Sequence, residues 1–160
     1  MKRLLCLLIP LAVIISFAGC REVIGSAVLF YAVLTDKDER ADKQDIFNFV
    51  ENNYETLMSC IESGDYSPLE KEKIIKQIRP NDKSVDFYCG GCGFASSTSY
   101  RGFFYSENDD VKDIWCAPPY DAQLKESDPG DSWYYTTPGT DDTFFGQRIK
   151  DKFFYYDASY

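Results

Sequence analysis

Residues 132–157 read SWYYTTPGTDDTFFGQRIKDKFFYYD. Aromatic residues recur in three short runs, and Pro, Gly and Asp clusters part them. Aromatic and β-branched side chains suit a pleated, half-buried surface, whereas such clusters mark turns. The pattern predicts strands over 132–136, 143–149 and 152–157. Neighbours on a strand alternate faces. Trp133 and Tyr135 therefore share one side and Tyr134 points away. Phe154 and Tyr156 likewise share a side, with Tyr155 opposite. One face can be core while the other offers tyrosines beside acids. Tyr134 and Tyr155 are the candidate binding-face residues, since tyrosine brings contact area and a hydroxyl together.

The same composition extends N-terminally to residue 84. Aromatics number 19 in the last 77 residues against 7 in the first 83, which places the sheet in the second half. Further strands are expected over 85–89, 99–106 and 113–116. The aromatic triplets 103–105, 133–135 and 154–156 begin 30 and then 21 residues apart, so no fixed period holds and no repeat is read.

Before this half the periodicity becomes helical. Asp42 reads as an N-cap with Asp45 three residues on. Ile46, Phe47, Val50, Tyr54, Leu57, Met58 and Ile61 follow at helical spacing, and Gly64 stands where a terminating glycine belongs. These predict a helix over 43–62. Ser67, Pro68 and Glu70 form a second start, Leu69, Ile74, Ile75 and Ile78 continue it, and Pro80 stops it. The expected second helix covers 68–78. Helices followed by strands argue an α+β fold, with one or two helices packed on one face of an antiparallel, aromatic-rich sheet. A single domain is expected over 45–160, preceded by a tether and linker over 20–44.

The first 19 residues have the form of an export signal. Lys2 and Arg3 open it, residues 4–18 are apolar but for Pro10 and Ser16, and small residues close it. Phe17, Ala18, Gly19 and Cys20 resemble the lipobox of bacterial prolipoproteins. That resemblance implies cleavage before Cys20, a lipid on its thiol and attachment to the outer side of the cell membrane. Phe17 departs from the family's usual leucine. An uncleaved anchor and a freely secreted product are the alternatives. The apolar run is shorter than the roughly 20 residues of a spanning helix. A second apolar stretch, 23–34, packs on lipid or on protein. The block from Asp86 to Tyr105, with the aromatic ending, resembles small exported domains of anaerobic Gram-positive bacteria, which implies a habitat and no mechanism.

Without residues 1–19 the chain keeps 15 basic against 26 acidic residues, a formal charge of −11. Such a surface repels nucleic acid and attracts cationic partners. It is also what plain solubility requires. The chain has no histidine, which removes Ser-His-Asp and Cys-His catalysis, histidine bases and histidine metal sites.

Cys60, Cys89, Cys92 and Cys116 remain after Cys6 and Cys20. In an exported chain they are disulfide candidates, with Cys116 paired to Cys89 or Cys92 if a bridge forms, or else buried thiols. Cys89-Gly90-Gly91-Cys92 has redox spacing but follows a strand and does not open a helix. If Cys89 lies in a strand it shares a side with the apolar Phe87. One close cysteine pair falls short of a zinc site. The acids at 107–113, 128–131 and 141–142 lack the alternating order and glycine of a calcium loop.

No catalytic residue, metal or cofactor is expected. The leading reading is a lipid-tethered, non-enzymatic binding domain with an extracellular or cell-wall protein partner. An inhibitor or immunity protein against a cationic secreted enzyme is the second reading, and a carboxylate-dependent envelope hydrolase the third.

Overall fold

A computed structural model describes residues 40–94, 97–119, 121–127 and 131–160. The export signal, Cys20 and the apolar stretch 23–34 lie outside the described residues. Among the described residues no helix is long and apolar enough to cross a membrane.

The fold is α+β. Two helices, α1 (Lys43–Asn52) and α2 (Tyr54–Ser63), precede seven strands. These are β1 (Gln77–Pro80), β2 (Ser84–Phe94), β3 (Ser97–Ser106), β4 (Lys125–Ser127), β5 (Ser132–Thr136), β6 (Thr143–Lys150) and β7 (Phe153–Ser159). They form one antiparallel sheet in the order β1-β2-β3-β7-β6-β5-β4. Two meanders, β1 to β3 and β4 to β7, thus meet where β3 pairs with β7. The connection between them, residues 107–124, must reach from the sheet centre to its far edge.

The helices form where the periodicity places them. Asp42 accepts from the Gln44 amide at 2.8 Å as N-cap. Gly64 ends α2 with φ 71°, a left-handed conformation that glycine adopts without a Cβ clash. One turn at Asn53 divides the expected single helix, and the Asn53 side-chain Nδ2 donates back to the Phe49 carbonyl at 2.9 Å. Ile46, Val50, Leu57 and Cys60 are buried against Phe87, Cys89, Phe103, Phe153 and Tyr155. Phe103 stacks on Phe87 with ring centres 4.6 Å apart. This is the helix-covered face.

The opposite face holds Phe104, Phe144, Phe154, Tyr156 and Ala158, with Trp133 and Tyr135 packed beside them. Val111, Ile114 and Cys116 from the 107–124 connection bury themselves there. That connection acts as a strap across the face. β7 sits between both covers, so Phe153 to Tyr156 are all buried.

Three expectations are corrected. No helix forms over 68–78: a 3-10 turn at Ser67–Leu69 docks Leu69, and β1 follows. Ile74, Ile75 and Ile78 are β-branched, which favours extended backbone. Ile78 pairs with Phe87, and Pro80 is tolerated because β1 is an edge strand. Residues 113–116 form turns rather than a strand, closed by Asp113 N to Asp110 O and Ala117 N to Ile114 O. Tyr155 is 2 % exposed, beneath Phe47 and Phe145, and offers no binding surface. The alternation along β7 is as read, but α1 covers the face on which Tyr155 stands.

Candidate functional site

Asp86 follows Val85 and precedes Phe87 on β2. Both neighbours point to the helix-covered face, so alternation turns Asp86 to the strap-covered one. Its cross-strand partners are Arg79 on β1 and Phe104 on β3. The carboxylate is wholly buried, 0 % exposed. Burial of an ion without partners is costly, so its hydrogen bonds are the question.

Two donors and one cation answer it. The Tyr156 hydroxyl donates to Oδ1 at 3.0 Å, and the Trp115 indole Nε1 donates to Oδ2 at 2.9 Å. Arg79 Nη1 stands 3.6 Å from Oδ2. Gly102 makes the Tyr156 approach possible: a Cβ there would lie 2.8 Å from the tyrosine oxygen and 2.5 Å from the Phe87 carbonyl. Burial pushes the Asp86 carboxyl up to about 6, against the pull of Tyr156, Trp115 and Arg79. The same network drives the Tyr156 hydroxyl far above its usual range, chiefly by burial and then by Asp86.

Trp115 is brought over Asp86 by the strap. Ser84 Oγ donates to the Asp113 carbonyl at 2.6 Å, and Ser106 Oγ donates to Asp113 Oδ2 at 2.7 Å. Asn108 donates to the same oxygen at 3.1 Å, and the Asp110 amide donates to Ser106 Oγ. Arg148 pairs with Asp109, tying the strap to β6. At the other end the Tyr160 hydroxyl donates to the Cys116 carbonyl.

The outcome is a tryptophan pinned from below and 48 % exposed above. Tyr100 meets its ring edge-on at 5.2 Å, and Tyr160 lies 6.3 Å from Tyr100. The Arg79 guanidinium sits 5.5 Å from the Trp115 ring centre and 4.9 Å from that of Tyr88. Beside Trp115 opens a groove of about 590 Å³ between the β1–β2 turn and the strap. Asp86 itself is sealed beneath the indole and acts on anything outside only through Trp115 and Arg79.

The residues singled out in the sequence fall elsewhere. Tyr134 is 39 % exposed on β5, apart from this patch, and Tyr155 is core. Cys60, Cys89, Cys92 and Cys116 are free thiols. Cys89 belongs to the helix-side cluster and Cys116 to the strap-side cluster, so the sheet lies between them. Burial drives both thiols far above their usual range, which keeps them protonated and inert. The Cys89–Cys92 motif lies inside β2 at a bulge, with Tyr88 opposite Gly102 and Gly90 opposite Arg101. Among the described residues no group of acids and cysteines is gathered to hold a metal.

Apart from an acid amid apolar neighbours in the strand VDFYC, nothing in the sequence alone marks Trp115 or Asp86 as a site residue.

Comparison of the chain with known protein families, with curated proteins and with solved structures finds no match.

Proposed function

We propose that this chain is an exported, lipid-tethered binding domain that holds an envelope component through the surface centred on Trp115. The observation that carries the reading is the half-exposed Trp115 ring, fixed by a hydrogen bond to the fully buried Asp86. The indole N–H serves the buried carboxylate, but the exposed half of the ring gains nothing for the fold and is still held in place by that bond and by the hydrogen-bonded strap. The surrounding Arg79, Tyr88, Tyr100 and Tyr160 complete the composition typical of binding hot spots. Rigid aromatic rings lose little freedom on binding, so a pre-placed surface of this kind binds at low entropic cost.

The tether rests on the likeness of Ala18, Gly19 and Cys20 to a lipobox. Cys20→Ser should abolish fatty-acid labelling of the chain, and label surviving the change would refute the anchor. The surface is tested by capture from envelope extract with the wild type, Trp115→Ala and Tyr134→Ala. Loss of captured material with Trp115→Ala alone is the expected result. Identical profiles for all three would remove Trp115 from the function.

A further inference from the structure

We propose that the groove beside Trp115 is a saccharide site, in which a neutral glycan chain lays a sugar ring on the indole. The proposal rests on the reading of Trp115 as the contact surface and names the ligand class. The indole N–H is committed to Asp86, so the exposed half of Trp115, which lines the groove, offers aromatic carbon and no donor. A pyranose has a matching surface, its axial C–H groups, and carries hydroxyls around the rim.

The groove supplies partners for such hydroxyls. Asn81, Asp82 and Lys83 of the β1–β2 turn line it together with Lys112 and Asp113 of the strap, Lys112 Nζ donating to the Ala122 carbonyl at 2.7 Å. Among the described residues the side chains of Asp82 and Lys83 make no hydrogen bond, and Asp113 accepts from Ser106 and Asn108 through Oδ2 and not through Oδ1. A hydroxyl both donates and accepts, so one sugar can satisfy a carboxylate and an ammonium placed side by side. An apolar ligand would strip water from these groups and return nothing. A phosphate polymer would meet Asp82 and Asp113 in a chain of net charge −9. A peptide added as a strand would need the outer edge of β1, which ends at the groove in Pro80, a residue without an N–H donor.

The site is tested by titration calorimetry of the folded chain with cello-oligosaccharides and chito-oligosaccharides. Saturable binding by one of the two is expected. Trp115→Ala should weaken it at least about tenfold, the equivalent of about 1.4 kcal/mol. Asp82→Asn with Lys83→Gln, exposed changes that leave Trp115 and its anchor in place, should weaken it several-fold. Tyr134→Ala should leave it unchanged. Circular dichroism of each variant reports that it is folded. Absence of heat with both glycan series overturns the saccharide site. If captured envelope material still depends on Trp115 but is destroyed by protease and spared by glycosidases, the ligand is protein and only the saccharide assignment fails. If capture is also independent of Trp115, the binding surface fails with it.

Discussion

The two faces of the sheet are covered in different ways, and the difference explains where the chemistry lies. On one face, regular helices bring Ile46, Val50, Leu57 and Cys60 onto Phe87, Phe103, Phe153 and Tyr155. A helix satisfies its own backbone, so the sheet beneath can be apolar. On the other face an irregular strap does the covering. Its backbone needs partners, which the sheet provides through Ser84 and Ser106, and its indole N–H finds one in Asp86, all three buried polar residues. A helix over a sheet thus gives a mainly apolar cover, whereas the strap puts a buried carboxylate inside and holds one residue, Trp115, outward.

The largest effect that would break this contrast lies under the helices. Leu57 is 0 % exposed, on the α2 side of the helix-face core. Leu57→Ala should cost about 2 to 5 kcal/mol, from lost transfer energy and the cavity left behind. Urea unfolding measures it. A loss under about 1 kcal/mol would show that the helices do not seal that face.

A comparable effect of a different kind belongs to the strap face. Asp86 has its carboxyl raised from 3.8 to about 6 on folding, so the folded state holds a proton that the unfolded state has released. Stability is then greatest below pH 4 as far as this group is concerned. It falls as pH rises from about 4 to 6 and is flat above, by roughly 3 kcal/mol in total. Asp86→Asn cannot titrate and should remove that slope. Unfolding curves for both proteins across this window decide the matter, and equal slopes would show that Asp86 is not the group responsible. Among the described residues the helix face holds no buried carboxyl, and its core cluster consists of apolar side chains, Tyr155 and protonated thiols.

Much of the helix face is legible in the sequence and little of the strap face is. The run from Asp42 to Gly64 declares its caps and its 3.6-residue stripe, and the aromatic runs declare β2, β3, β5, β6 and β7 by local composition. The edge strands were hidden for local reasons too. Gln77–Pro80 contains a proline, and Lys125–Ser127 is polar throughout. The site is hidden for a longer-range reason. Trp115 meets Asp86 across 29 residues, and Tyr156 meets it across 70. An acid on the outer face of an antiparallel strand reads as solvated until something is known to cross it. Residues 107–124 have no periodicity from which that crossing could be inferred. Tyr155 shows the converse. Its side of the strand was readable, and which side the helices cover was not.

The smallest predicted effect sharpens the comparison most, because it isolates one hydrogen bond on the strap face. Trp115→Phe keeps a ring over Asp86 and deletes the donor that stands 2.9 Å from Oδ2. That donor favours the ionised carboxylate, so its loss favours the protonated form and the Asp86 titration moves up from about 6. Hydrogen bonds to charged groups contribute about 1.5 to 3 kcal/mol, and the shift should be on the order of one pH unit once Arg79 and Tyr156 compensate in part. Carboxyl carbon resonances of Asp86 followed by NMR would give the midpoint directly. Tyr134→Phe, remote from the network, should leave that midpoint where it is. An unchanged midpoint in Trp115→Phe would mean that the indole is not held by the carboxylate. The exposed ring would then be an incidental feature of the strap, and the pre-placed surface on which binding depends would lose its physical basis.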